Sequence, residues 1–153
     1  MKKNIKVLHI IASLGNGGAE RQLIEVLKYN RNHSVLLLTR ADVYKETLDK
    51  LNIKYWEMGA KNKLQVFLKI FFFRHIIKKY KPDIIQAWMY NACLFAVFCK
   101  LIKICKRPLI WNIRCSNMIP KYYSISLRLV IHACAIFSKK VEKIIYNSFA
   151  GES

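Results

Sequence analysis

Three glycines, Gly15, Gly17 and Gly18, lie within four positions of one another, directly after an apolar run over 5–11. Apolar side chains then recur at helical spacing, so a helix is predicted to begin near Gly18. Glycines at the start of a helix leave its first N–H groups open to an anion, and the helix dipole attracts negative charge there. The segment therefore predicts a loop that binds phosphate.

Two common phosphate motifs are absent from this segment. A dinucleotide-binding G-x-G-x-x-G that starts at Gly15 needs a glycine where Glu20 stands, and a P-loop needs G-K-[ST], which the sequence lacks. A turn that only connects a strand to a helix is the alternative interpretation. Three glycines after the first strand of an alternating pattern favour the phosphate loop.

Other reactive residues do not form a familiar arrangement. The nine carboxylates include no pair at adjacent strand ends that could act as acid and base. The histidines have no ligand spacing and the five cysteines contain no C-x-x-C, so neither a metal site nor a disulfide is predicted. We expect thiols that pack as small apolar groups in a reducing cytoplasm. The histidines are His9, His33, His75 and His132.

Predicted strands and helices alternate along the chain. Strands are predicted over 5–11, 34–39, 53–57, 83–88, 108–113 and 142–147, and helices after the glycines and over 43–51, 62–80, 90–105 and 122–138. This alternation predicts an α/β fold with a doubly wound, mostly parallel sheet and helices on both faces. Ligands of such sheets bind beyond the carboxyl ends of the strands. The segments to consider are therefore 13–18, 39–42, 88–91, 114–117 and 147–148.

The charge is strongly positive, with 27 lysines and arginines, nine carboxylates and a formal net charge of +18. Such a chain favours polyanionic partners. No nucleic-acid-binding module is recognisable, so no nucleic acid partner is predicted. The bases are concentrated around the apolar segment 61–81, which favours an anionic membrane surface. No apolar run reaches the ~18 to 20 residues that span a bilayer, so we expect peripheral association.

The predicted helix over 62–80 carries two apolar stripes. One stripe contains Val66, Ile70, Phe73 and Ile77, and the other contains Leu64, Phe67, Leu68 and Phe71. Only one stripe can face the sheet. The second must contact a neighbouring helix, a partner domain or lipid.

Several blocks of the sequence resemble one known family. GNGGAERQLIEVLK, PDIIQAWMYNACLFA, PLIWNIRCSNM and KIIYNSFAGES are similar to the N-terminal domain of bacterial glycosyltransferases of family 4. These are retaining enzymes of GT-B architecture that use a nucleotide sugar as substrate and need no other cofactor. The resemblance implies a Rossmann-like domain over 1–153. It also implies transfer to a lipid-linked or membrane glycan in surface polysaccharide synthesis, at the cytoplasmic face of the inner membrane.

The resemblance also implies roles for individual residues. Gly15, Gly17 and Gly18 would approach the phosphates or sugar of the donor, and Glu20 and Arg21 would open the helix behind them. In many relatives a histidine ends the strand equivalent to 109–113, near the reacting sugar. Here Arg114 follows Ile113, so no histidine role transfers. Arg114 is the one candidate for a catalytic residue, and it is expected to neutralise a phosphate on the donor or the acceptor. The candidates for acceptor binding are Trp88, Met89, Tyr90, Asn91, Arg114 and Ser116.

The family's second domain, which holds the nucleotide and carries an E-x7-E motif, has no counterpart in these 153 residues. The expectation is a truncated, acceptor-side domain that alone binds the donor poorly and does not turn over. The alternative function is a noncatalytic Rossmann-like partner or a membrane-binding subunit. The donor, the acceptor and the linkage cannot be read from this part of the sequence.

Overall fold

The computed structural model describes residues 4–114 and 123–146. Six strands, six α-helices and a short 3-10 helix over Ser138–Lys140 lie within these ranges, and the alternation of strands and α-helices confirms the predicted order. The strands are β1 Val7–Ile11, β2 His33–Leu37, β3 Tyr55–Glu57, β4 Ile84–Trp88, β5 Leu109–Ile113 and β6 Lys143–Tyr146. The helices are α1 Gly18–Tyr29, α2 Lys45–Lys50, α3 Lys63–Leu68, α4 Ile70–Tyr80, α5 Met89–Leu101 and α6 Ile125–Phe137.

The strands form one sheet in the order β3-β2-β1-β4-β5-β6, and every pairing is parallel. The strand order reverses between β1 and β4, which is the topological switch point of a doubly wound sheet. All five residues of β1 are buried, as its uninterrupted apolar run predicts for a strand covered on both faces. The predicted α/β fold is therefore confirmed.

Two apolar cores cover the two faces of the sheet. On one face, Leu23 and Leu27 of α1 pack with Leu48 of α2. On the other face, Phe73 of α4 and Phe95 of α5 lie in one cluster with side chains of β5 and α6. Helix α5 is buried along most of its length, because α6 packs against it on the side away from the sheet.

The single helix predicted over 62–80 is wrong, because it divides at Lys69 into α3 and α4. The Lys69 ammonium turns back and donates to the carbonyl oxygens of Met58 and Gly59, which follow β3. Gly59 has a φ of +61°, a conformation that favours glycine. The break is therefore fixed by a contact between distant segments, and no proline or glycine marks it.

The two apolar stripes have different surroundings. Ile70 and Phe73 of the first stripe are buried in the core. Phe67 of the second stripe packs on Phe98 of α5, with 5.1 Å between ring centroids. The other members of that stripe, Leu64, Leu68 and Phe71, are 68 to 73% exposed. Of the helices that the structure describes, none has the length and apolar character needed to cross a bilayer.

Candidate functional site

The glycine loop connects the carboxyl end of β1 to the start of α1, as predicted. Gly17 precedes the helix with φ −81° and ψ 167°, and no side chain caps the helix start. Arg21 N–H donates to the Gly17 carbonyl at 3.1 Å, so the earlier N–H groups of the first turn have no acceptor inside the helix. This end of α1 therefore presents backbone donors at the switch point of the sheet.

Backbone conformation requires glycine at none of the three loop positions, and only Gly17 lies against another group. Gly15, Gly17 and Gly18 all lack a positive φ. A Cβ atom on Gly15 or Gly18 would meet no other atom within 4 Å, whereas one on Gly17 would collide with the carboxylate of Glu20. Glu20 therefore folds back over the start of α1, where the helix dipole favours negative charge. An anion that approaches Gly17 must displace this carboxylate.

Arg114 brings a cation to the same end of α1. It follows β5, and its Nε donates to the side-chain oxygen of Asn112 at 3.1 Å. Another guanidinium nitrogen donates to the side-chain oxygen of Gln22 on α1. The guanidinium carbon lies 5.7 Å from the centroid of the Trp88 ring, in cation–π contact. Three elements, α1, β4 and β5, thus fix the position of one positive charge beside the glycine loop.

Partial burial lowers the pKa of Arg114. An arginine remains protonated throughout the physiological range even so, because its ordinary pKa is far higher. The planar fork of its donors suits phosphate oxygens. Arg114 and the first turn of α1 together can bind a phosphorylated ligand.

The predicted acceptor residues fall into two groups. Trp88 and Tyr90 are only 1% and 6% exposed, so their rings cannot form an open stacking platform. Trp88 supports Arg114 from below instead. Met89 is partly exposed and has a φ of +64°, an uncommon value for a residue with a side chain. Asn91 is exposed and open to a ligand.

Ser116, the remaining acceptor candidate, lies outside the described residues. The same holds for Asn117, Asn147 and Ser148 at the predicted strand ends. Arg21 is described and exposed on the first turn of α1. Among the candidates for donor binding, the structure thus brings Arg21 and Glu20 together with the three glycines.

A series of hydrogen-bonded side chains leads away from this site into the interior, and the sequence analysis did not predict it. The Trp88 indole N–H donates to His9 Nδ1 at 3.0 Å, and His9 Nε2 lies 2.9 Å from His33 Nδ1. Because an indole N–H can only donate, His9 Nδ1 is the acceptor, and the proton of the neutral ring is on Nε2. His9 therefore donates to His33. In the register of β1 on β2, His9 pairs with Val35, and His33 lies two residues before Val35 on the same face of the sheet. The contact therefore depends on the register, which the sequence does not give.

Burial, together with the neighbouring His33, lowers the pKa of His9 to about 3. Burial also lowers the pKa of His33. Both rings are thus neutral at physiological pH. The neutral pair holds the Trp88 indole in the plane on which Arg114 stacks.

A cleft of about 210 Å³ opens on the other side of the β1 end, between α3 and α5. Val66, Phe67 and Phe95 form apolar walls, while Lys61 and Lys63 line it with cations. Asn91 also lines this cleft. The cleft is therefore suited to a ligand that combines an apolar part with a negative charge.

Side chains that could bind a metal ion are dispersed in the described segments. No three histidine, cysteine or carboxylate side chains come together there in a way that could hold a metal ion. Cys93, Cys99, Cys105 and Cys134 are free and buried, as expected for small core residues. Burial raises the pKa of Cys134 to about 12, so this thiol is unreactive at neutral pH.

Comparison with protein-family models and with curated protein sequences finds no match. Solved structures do match. HepE from Anabaena, in complex with UDP-glucose, is 22% identical with a TM-score of 0.74, and the match covers 97% of this chain and 39% of HepE. A glycosyltransferase from Rickettsia africae is 23% identical with a TM-score of 0.56, over 93% of this chain and 42% of that one.

MurG from Acinetobacter baumannii is 14% identical with a TM-score of 0.61, over 95% of this chain and 42% of MurG. The chain thus spans about two fifths of the length of the structures it matches. At these identities the likeness is one of fold. The chain has the Rossmann-like α/β fold that forms part of a UDP-glucose-binding protein and of a glycosyltransferase.

Proposed function

We propose that this chain is the N-terminal, acceptor-side domain of a retaining glycosyltransferase of family 4 with GT-B architecture. The enzyme would transfer a sugar from a nucleotide sugar to a lipid-linked or membrane glycan in surface polysaccharide synthesis. The resemblance of four sequence blocks supports this proposal. The fold shared with HepE, which was solved in complex with UDP and with UDP-glucose, supports a nucleotide-sugar donor.

The observation that carries the proposal is the bond between Arg114 and Gln22, which holds a guanidinium beside the open start of α1. A nucleoside diphosphate carries negative charge that two kinds of donor can share here. The backbone N–H groups after Gly17 would bind one phosphate, and Arg114 would bind the other or the departing group. Glu20 must turn away when the donor enters, and Arg21 adds a second exposed cation.

For the acceptor we propose the cleft between α3 and α5. It opens on the far side of the β1 end from α1, so an acceptor there would approach the donor across the switch point. Asn91 supplies an amide that can bind sugar hydroxyls, and Met89 lies between it and Trp88. Lys61 and Lys63 would attract the phosphate of a lipid-linked glycan.

Peripheral binding to an anionic membrane, at the cytoplasmic face of the inner membrane, belongs to the same proposal. The exposed side chains Leu64, Leu68 and Phe71 offer apolar surface on α3 and α4. Nearby bases, which include Lys61, Lys63 and Lys78, offer positive charge. Apolar surface with basic neighbours is typical of proteins that lie on anionic bilayers.

The exposed apolar surface also favours a second candidate, a noncatalytic partner that completes another subunit. The two candidates differ in what accompanies this domain. A retaining transferase needs a nucleotide-binding domain with an E-x7-E motif, and without it these residues would bind donor weakly and not turn over. Sequencing the downstream coding region separates them: such a domain supports the transferase, and its absence supports the partner.

A further inference from the structure

A second groove, of about 210 Å³, lies at the amino ends of the strands, opposite the carboxyl ends where the glycine loop lies. It is formed where β1, β2 and β3 begin, because Lys6 and Lys54 directly precede strands and His33 is the first residue of β2. Its lining includes Lys6, Arg31, His33, Asn52, Lys54 and Tyr80. Nothing in the proposed transfer reaction uses this groove.

The cations of the groove are held near it by contacts of their own. The Lys6 ammonium lies 5.8 Å from the centroid of the Tyr80 ring, and the Lys54 ammonium lies 5.3 Å from that of Trp56. Arg31 donates to the carbonyl of Leu51 at 3.4 Å, which leaves its other guanidinium donors for a ligand.

Two carboxylates lie near the groove, and both are hydrogen-bonded to other groups. The Asp83 carboxylate accepts from the backbone N–H of Lys6 at 2.9 Å, and Asp49 is hydrogen-bonded to Tyr55. Neither carboxylate is among the residues that line the groove. Three positive side chains thus face a groove whose lining contains no carboxylate among the described residues.

His33 adds a hydrogen-bond donor to the groove, and its contact with His9 determines which ring nitrogen carries the proton. Its Nδ1 accepts the proton of His9, so the neutral His33 ring carries its own proton on Nε2. His33 is half-buried and lines the groove. The Nε2–H is therefore the donor that this ring can offer to an acceptor oxygen of a ligand.

We propose that this groove binds an anion of the size of inorganic phosphate through Lys6, Arg31, Lys54 and the Nε2–H of His33. The anion would be a ligand distinct from the sugar donor, since the two sites lie at opposite ends of β1. It would also connect to the donor site, because His33, His9 and Trp88 form an unbroken series of hydrogen bonds that ends under Arg114.

The test is a titration of the 153-residue chain with inorganic phosphate at pH 7.5 and constant ionic strength, followed by NMR of the His33 ring nitrogens and the Trp88 indole N–H. The expected result is saturation of both signals along one curve. Lys54→Gln and Arg31→Gln should each weaken binding about tenfold, since each removes a charge-assisted hydrogen bond from an exposed position. Lys139→Gln removes the same charge elsewhere and should leave binding unchanged.

Two results would overturn the proposal. One is a shift that grows linearly with phosphate, or one that Lys139→Gln weakens as much as Lys54→Gln does, because the net charge alone would then attract the ion. The other is a saturable response confined to the amides of Gly17 and Gly18, which would assign phosphate to the glycine loop. The second result would leave the proposed function intact, so the two proposals can fail independently.

Discussion

The two faces of the sheet distribute polar and apolar groups in opposite ways. On the face that α1 covers, the interior contains a hydrogen-bonded series of Trp88, His9 and His33, while the outside of α1 is charged. On the face that α4, α5 and α6 cover, the central side chains, such as Phe73 and Phe95, are apolar. The outside of that layer is also apolar in many places, with Leu68, Phe71 and Leu129 at least 66% exposed.

This difference separates two kinds of task. A buried polar group is costly unless it is paired, so a paired series under the partly buried Arg114 suits a position where geometry matters. Exposed apolar side chains gain free energy only when another surface covers them. We therefore assign donor binding to the α1 side, and we assign membrane attachment, together with the acceptor cleft between α3 and α5, to the α3–α6 side. Substitutions on either side of the sheet test that division.

The largest effect is expected at the glycine loop. Gly18→Val puts a branched side chain in open space at the first residue of α1, and Gly17→Val forces the Glu20 carboxylate aside. Loss of two charge-assisted N–H bonds to the donor would cost roughly 3 to 6 kcal/mol, at ~1.5 to 3 kcal/mol each. Transfer by an enzyme that carries this domain should fall by about 10²- to 10⁴-fold.

The measurement for both variants is the transfer rate, with circular dichroism as the control for folding. Neither glycine has a positive φ, so valine should leave the fold intact. If both variants transferred sugar at the wild-type rate, the glycines would serve only to form the turn between β1 and α1.

Arg114→Ala should have the next largest effect. It removes the cation that Asn112, Gln22 and Trp88 hold in place, which would weaken donor binding by about 1.5 to 3 kcal/mol. Arg114→Lys keeps the charge but loses the fork of donors, so it should recover only part of the affinity. Calorimetric titration of both variants with UDP-glucose checks this order. Equal affinity in the wild type and Arg114→Ala would contradict it.

The buried histidine makes stability depend on pH. The pKa of His9 is about 3 in the folded state and ~6.5 in the unfolded state. As the pH falls below ~6.5, the unfolded chain therefore binds more protons than the folded chain does. The free energy of unfolding should therefore drop by up to ~1.4 kcal/mol per pH unit, or about 2 kcal/mol between pH 6.5 and pH 5. His33 acts in the same direction, since its pKa is also lowered.

Urea unfolding at several pH values measures this slope. The Trp88 indole N–H donates to His9 Nδ1 and so disfavours a proton on that nitrogen, while the cations Lys6, Arg31 and Lys54 line the second groove with His33. His9→Gln can still accept from Trp88 and donate to His33, so it should reduce the slope while it retains the fold. A variant with the same slope as the wild type would refute the role assigned to His9.

The smallest effect is expected at the attachment surface. Phe71→Ser removes a side chain that is 73% exposed, so it should weaken binding to anionic vesicles by about 1 kcal/mol or more without loss of stability. Tyr29→Ser is the matched control, because Tyr29 is 83% exposed at the end of α1 on the other face. Vesicle sedimentation, with neutral vesicles and high salt as further conditions, compares them. Similar losses of vesicle binding in both variants would contradict the assignment of attachment to the α3–α6 side.

The sheet was predictable from the sequence because its signals are local. Apolar runs and turn residues mark each strand within a few positions, and the alternation with helices selects the parallel arrangement. The glycine loop was equally visible. The division of 62–80 was not, because it depends on the contact of Lys69 with the carbonyls of Met58 and Gly59, which no local pattern encodes.

The candidate site was predictable in position but not in its internal contacts. Strand ends identified Arg114 and Trp88, yet burial turned Trp88 from an open platform into a support for Arg114. The contact of His9 with His33 spans 24 residues of sequence and follows from the register of β1 on β2. Pairing register must be known before two distant histidines can be recognised as partners.

The central claim is that the glycine loop and Arg114 together bind the diphosphate of a nucleotide sugar. Titration of the 153-residue chain with UDP, followed by ¹⁵N–¹H NMR, tests it most directly. We predict that the amides of Gly17 and Gly18 and the Nε–H of Arg114 shift along one binding curve, even where that binding is weak. The account would be contradicted if UDP bound and shifted other residues while these three signals stayed unchanged.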